Sequence, residues 1–231
     1  MLRRNAIFLS LWLVTVVSLT IALCVVDKGE LHLSLCDHHT AWGDVLMPVL
    51  SDTCNWLPYV LAAGLLVWRW RIGLFMTGSL LLSTAIVQPI KHLVGAPRPL
   101  TWFVQNMPDI SLPLTEGVNM HYYLSFPSGH TTTFFCLYFA LCAICTYYAQ
   151  QTPTAKPWAR KWVCILVQVV CFLLAAISSY SRLYLSQHFA LDVLAGMVIG
   201  VASVLIMALI FNRACRRSCS TAESCGRTPQ A

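Results

Sequence analysis

Residues 7–26 read IFLSLWLVTVVSLTIALCVV, twenty positions without a charge. A helix rises 1.5 Å per residue, so the run reaches about 30 Å, the thickness of a bilayer's hydrocarbon core. It exceeds the roughly 7–15 apolar residues of a signal-peptide core, and more apolar runs follow. A retained first membrane helix is therefore expected. Bulky Leu23 argues against lipoprotein processing at Cys24.

Outward from this run, the chain repeats the same theme. Apolar stretches at 54–68, 72–90, 128–148, 162–179 and 188–211 predict five more helices. The expected fold is all-α, a polytopic membrane protein with six transmembrane helices. Residues 27–44 read as a polar external loop, and 45–50, with Pro48, as a short interfacial segment. Residues 97–127 form a long loop rich in proline; loops beyond about 12–15 residues usually carry function. Within it, Thr101-Trp102-Phe103-Val104 could rest on the bilayer surface. Residues 1–212 are expected to be one membrane domain, and 213–231 a polar, disordered cytoplasmic tail.

Composition agrees. The chain is 58% hydrophobic and 10% charged, against about 25% charged in soluble domains. The net charge of +6 does not point to nucleic acid. Its basic residues flank apolar runs and are not interleaved with stacking aromatics. Arg3, Arg4, Arg69, Arg71, Lys156, Arg160, Lys161, Arg213, Arg216, Arg217 and Arg227 fall on one side of a six-helix layout. Only Lys28, Lys91, Arg98 and Arg182 fall on the other. The positive-inside rule puts both termini in the cytoplasm. Cys36 and Cys54 could pair outside, though free thiols are expected. Cys215, Cys219 and Cys225 have no histidine nearby and read as free thiols rather than a zinc site.

Lys91, Arg98 and Arg182 break the charge rule at the outer ends of helices, and ionisable groups at a membrane edge are functional candidates. Lys91-His-Leu-Val-Gly-Ala-Pro-Arg98-Pro99 closes the third helix, and Phe126-Pro127-Ser128-Gly129-His130 opens the fourth. Ser181-Arg182, His188 and Asp192 surround the start of the sixth. Three cations can neutralise a phosphate and its transition-state charge; arginine adds a planar fork for phosphate oxygens. Ser128 and Gly129 at a helix start offer backbone N–H groups to an anion. His188 and Asp192, four apart, would share a helix face. The carboxylate would then fix the imidazole tautomer and leave the other nitrogen free. His130, from another helix, could serve as acid. His32, His38, His39, His92 and His121 read as structural.

These residues resemble the signature of the type-2 phosphatidic acid phosphatase superfamily, the lipid phosphate phosphatases. Its parts are K-x6-R-P, P-S-G-H and S-R-x5-H-x3-D, and they match here at Lys91, Arg98 and Pro99; Pro127, Ser128, Gly129 and His130; and Ser181, Arg182, His188 and Asp192. The similar region spans roughly 72–211. The resemblance implies a metal-independent hydrolase with no cofactor and an active site at the outer membrane–water interface. It implies that His188 is the nucleophile, Asp192 its orienter and His130 the acid and then base. Lys91, Arg98, Ser128, Gly129 and Arg182 would hold phosphate, and Pro99, Pro127 and Ser181 would support them. The superfamily also contains vanadium haloperoxidases, which are soluble, unlike this chain.

The expected partners are the bilayer and a phosphorylated membrane lipid, with no nucleic acid or obligate protein partner. Lipid A and undecaprenyl diphosphate are favoured by resemblance; phosphatidylglycerophosphate and phosphatidic acid are the other candidates. The expected location is a bacterial inner membrane, with a periplasmic or extracellular site. A transporter usually places polar groups or broken helices near the bilayer midplane, whereas here the helix centres carry no charge and the motif charges sit at one edge. A non-catalytic lipid-phosphate binder would not need His130, His188 and Asp192 intact.

Overall fold

The computed structural model describes residues 1–151 and 156–224, with side chains described to residue 213. Nine α-helices form among the described residues: α1 (Ala6–Val25), α2 (Lys28–Cys36), α3 (Ala41–Asp52), α4 (Leu57–Trp68), α5 (Trp70–Val94), α6 (Pro99–Asn106), α7 (Gly129–Gln151), α8 (Pro157–Tyr184) and α9 (Ala190–Ser224). Among the described residues there are no strands.

Among the described residues, five helical stretches are long and apolar enough to span a bilayer: Leu2–Val25, Trp70–Asn106, Gly129–Gln151, Pro157–Tyr184 and Ala190–Arg213. Five of the six expected spans fall on these stretches. The remaining expected span, 54–68, falls on α4, a shorter apolar helix whose twelve residues reach only about 18 Å. α4 starts beside the 3-10 turn Thr53–Asn55, which follows α3, and ends where Trp68 meets Tyr148. Pro58, in the first turn of α4, has no N–H to donate, which suits a helix start there.

α7 is the most buried of the spans and α1 the least. α7 packs against α5, α8 and α9, and its Phe134, Phe135 and Phe139 are wholly buried. Gly196 and Gly200 bring α9 close to α7. A Cβ at Gly196 would lie 2.8 Å from the Ser128 carbonyl, and one at Gly200 would lie 2.6 Å from that of Thr132. The G-x3-G stretch thus packs inside the chain, the use expected for small residues on membrane helices.

Two stretches read as loop are partly helical. α2 and most of α3 lie in the segment expected to be an external loop and interfacial segment, and α6 lies in the proline-rich loop. In α6, Phe103 is buried and Val104 is 66% exposed, so this stretch docks one side on the protein. Beyond Phe211, α9 continues to Ser224 through part of the polar tail; residues 225–231, including Cys225 and Arg227, lie outside the described residues. Cys36 and Cys54 are buried free thiols.

Candidate active site

The three signature segments meet at one end of the bundle. α5 ends at Gly95, whose φ of 59° is a left-handed cap that favours glycine. The chain then turns, and Arg98 pairs with the loop before α7. Its backbone N–H donates to the Tyr122 carbonyl at 2.9 Å, and Ser125 N–H donates to the Ala96 carbonyl at 2.9 Å. Pro99 opens α6 directly after Arg98. The first and second signature parts are thus joined by backbone bonds, as sequence spacing could not show.

The cations are held by specific acceptors. Lys91 Nζ donates to the Leu124 carbonyl at 3.1 Å. Arg98, 8% exposed, donates through Nε to the Tyr123 carbonyl at 3.0 Å and through one terminal nitrogen to Gln187 Oε1 at 2.9 Å. Arg182, 6% exposed, lies in the last turn of α8 and donates to Ser51 Oγ of α3; its Nε has no partner. An unpartnered buried guanidinium nitrogen is costly in a finished fold and suits a donor awaiting an anion.

Ser128 caps α7: its Oγ accepts from Thr131 N–H at 3.3 Å, and its own N–H donates to the Asp192 carbonyl at 3.0 Å. A serine there satisfies a free N–H of the first helical turn. A Cβ at Gly129 would face Lys91, 3.6 Å from Cε and 3.9 Å from Nζ. The bare backbone of Gly129 therefore borders the ammonium. The His130 ring sits in the first turn of α7 and makes no hydrogen bond among the described residues.

The third segment differs from its expected form. α8 runs on to Tyr184, so Ser181 and Arg182 end α8 rather than open the next helix, and the Ser181 hydroxyl donates back to the Ser178 carbonyl at 2.7 Å. His188 precedes α9, with only Asp192 inside it. The two do not share a helix face. They meet because Phe189 N–H donates to Asp192 Oδ2 at 2.9 Å, folding the loop over the start of α9. His188 Nδ1 then lies 3.5 Å from Asp192 Oδ2 and has no hydrogen-bond partner. That separation is long for a hydrogen bond; catalytic bonds often tighten only around substrate.

His188 is 1% exposed. Burial, followed by the charges of Arg182, Arg98 and Lys91, holds its imidazole well below the usual histidine range. The ring is therefore neutral near pH 7. All three signature cations act on this one residue, which places them around a common centre.

Sequence reasoning missed several residues here. Ser125 Oγ donates to Asp192 Oδ2 at 2.5 Å, Gln187 accepts from Arg98, and Ser51 accepts from Arg182. His32 is buried; its Nε2 lies 3.3 Å from Ser186 Oγ, and its ring meets Phe189 edge-on. His32 thus touches both flanks of the loop that carries His188. Only its burial within an otherwise polar-looking segment could have flagged it. His39 bonds Asp44 at 2.8 Å and stacks on Tyr184, a structural use as expected.

With this arrangement in view, comparison with known proteins is decisive. The PAP2 superfamily model matches residues 72–216. The chain belongs to the PAP2 superfamily. YbjG of Escherichia coli (strain K12), named as a candidate undecaprenyl-diphosphatase, is 27% identical over 150 residues, 63% of each chain. The chain thus spans 63% of that relative's length. In structure it resembles Aquifex aeolicus LpxE, with a TM-score of 0.56 and 23% identity over 78% of this chain and 93% of that one. It also resembles a transmembrane PAP2-type phosphatidylglycerolphosphate phosphatase from Bacillus subtilis, with a TM-score of 0.59 and 21% identity over 92% and 98%. Those likenesses establish a multi-span membrane PAP2 fold.

Proposed function

We propose that this PAP2 protein is a lipid phosphatase or diphosphatase acting through a phosphohistidine. The observation that carries the reading is the buried, neutral imidazole of His188 facing three cations, one of which keeps an unpartnered buried nitrogen. Neutral imidazole is a nucleophile, and a ring of cations with a free donor is a seat for a phosphate dianion.

In the first step, His188 Nε2 attacks phosphorus as the bond to the lipid oxygen breaks. Nδ1 faces Asp192, which stabilises the charge that develops on the ring. Lys91, Arg98, Arg182 and the backbone at Ser128 and Gly129 hold the phosphate oxygens. His130 gives a proton to the leaving oxygen; a phosphate dianion beside its ring favours the protonated form. In the second step, His130 takes a proton from water, the water oxygen bonds to phosphorus, and the N–P bond breaks. Ser125 orients Asp192, and Ser181 supports the end of α8.

No cofactor or metal has a role in this scheme, and the three cations supply the charge stabilisation that a metal would otherwise give. Activity is expected to persist in chelator and to fall with vanadate, which adopts the geometry of phosphoryl transfer.

The substrate head reaches the site at the membrane interface. A cavity of about 510 Å³ reaches Asp192 and is walled by Leu23, Val26, Val94, Phe126 and Leu191, with Lys28 at its edge. Val94 and Leu191 are each about half exposed, so this apolar wall can take an acyl or prenyl chain. The name of the E. coli relative favours undecaprenyl diphosphate; lipid A remains in contention through the likeness to LpxE. The charge asymmetry supports cytoplasmic termini and an outward-facing site in a bacterial inner membrane.

Phosphate release from a panel of these lipids in chelator, with His188→Ala as control, tests the reading. Release by wild type alone supports it. Equal release by His188→Ala, or a requirement for added magnesium, contradicts it.

A further inference from the structure

At the end opposite the catalytic cluster, α1 and the start of α8 flank a cavity of about 630 Å³. Four cations line it: Arg3 and Arg4 from the turn before α1, and Arg160 and Lys161 from the start of α8. Ile7 and Ile165 give it an apolar wall.

The floor is closed within the protein. Gln168 Oε1 accepts from Ile7 N–H at 3.0 Å and Phe8 N–H at 3.3 Å, and its Nε2 donates to the Cys164 carbonyl at 2.9 Å. The charged rim is not balanced in this way. Arg160 donates to the Gln150 carbonyl at 3.3 Å, and Arg4 lies over the Tyr147 ring. Among the described residues no carboxylate pairs with any of the four cations. α1 and α8 have neither an acidic residue in the first turn nor a side-chain cap, although acidic groups are what helix N-termini favour. Of the nine acidic residues in the chain, all but Glu223 precede residue 193 and sit in segments at the catalytic end.

The positive-inside rule accounts for the sign of this end. It does not account for a concave seat that gathers four cations and the start of α8 around no carboxylate among the described residues. Among the described side chains none supplies the balancing anion. Its depth is marked by tryptophans: Trp158 and Trp162 on α8 are each 64% exposed, as is Trp68 at the same end, with Trp70 61% exposed. Exposed indoles gather at the head-group level of a bilayer, so the cavity mouth lies among head groups, with its apolar wall toward the acyl chains.

We infer that this cavity binds the phosphate of an anionic glycerophospholipid in the leaflet opposite the catalytic site. The site does not depend on the phosphatase reading.

The test is native mass spectrometry on protein purified in detergent, where membrane orientation plays no part. The probes are phosphatidylglycerol, phosphatidylcholine and glycerol 3-phosphate. Phosphatidylglycerol is expected to be retained in preference to the other two. The R160Q/K161Q double variant should weaken its retention by about 30-fold, the ratio two basic side chains are worth at a membrane surface. An R69Q/R213Q variant removes the same charge at the same end outside the cavity and should bind as wild type does. Should R160Q/K161Q melt early, R3Q/R4Q takes its place. Equal weakening in the cavity and control variants would overturn the inference by showing diffuse charge attraction. Equal retention of phosphatidylcholine, or tight binding of glycerol 3-phosphate, would overturn the assignment to an anionic lipid.

Discussion

Both ends of this bundle are basic, yet their cations live differently. Arg3, Arg4, Arg69 and Arg71 are exposed, while Arg98 and Arg182 are buried and bonded to Gln187 and Ser51. Burying a charge costs several kcal/mol unless partners repay it. At the exposed end Arg3, Arg4, Arg69 and Arg71 have no carboxylate partner among the described residues. At the buried end each guanidinium is fixed by an acceptor from a distant segment, and Arg182 keeps one nitrogen free. The contrast teaches that charge counts locate the membrane, and burial locates the chemistry.

The comparison breaks most readily at Arg182. Arg182→Ala should lower kcat for phosphate release by about 10²–10³-fold, the loss typical of removing one preorganised transition-state donor. Arg69→Ala should leave kcat unchanged. Similar losses in both variants, measured by initial rates, would erase the distinction between the ends.

A smaller effect is expected at Ser125. Its bond to Asp192 is the shortest the carboxylate makes. Hydrogen bonds to charged groups are worth about 1.5–3 kcal/mol, so Ser125→Ala should lower kcat by about 10- to 100-fold with little change in KM. A change in KM alone would mean that Ser125 shapes binding and not the nucleophile.

The pH profile sharpens the same contrast. Burial and three cations disfavour the His188 imidazolium, so the acid limb of kcat/KM due to this residue should lie below pH 6.5. Removing one cation, as in Lys91→Ala, should move that limb to higher pH. Movement to lower pH would contradict the electrostatic account.

A separate effect concerns stability. Burial first, then opposing charges from Asp192 and Lys28, bring His32 down to about 4. The unfolded chain takes up this proton near pH 6.5, and the folded chain only near 4. Stability should therefore fall as pH drops from about 6.5 to about 4, by on the order of 3 kcal/mol from this group. His32→Gln keeps a hydrogen-bonding side chain and should flatten the melting-temperature profile across that window. An unchanged slope would show that His32 titrates as in the unfolded chain.

Much of this molecule was legible because lipid imposes simple rules. Uncharged runs gave the long helices, and residues such as Lys91 and Arg182 stood out against the charge asymmetry. What stayed hidden depends on meetings between distant segments. Ser51 reaches Arg182 across 131 positions, and His32 reaches Ser186 across 154. Neither carries a periodic signal. α2 and α6 were hidden because short helices at an interface are stabilised by what they dock on, here Phe103 and Phe189 around His32. The spacing of His188 and Asp192 suggested a shared helix face; the pair instead meets through the bond from Phe189 N–H to the carboxylate.

The most direct test of the central claim traps the intermediate. With an activated aryl phosphate, His130→Ala should still allow attack by His188, because a good leaving group needs little help from a general acid. Breakdown should stall, because no base activates water. Rapid quench should show phosphohistidine accumulating on His188 in His130→Ala and none in His188→Ala. Phosphate trapped on any other residue, or an equal loss of the burst in both variants, would contradict the assignment.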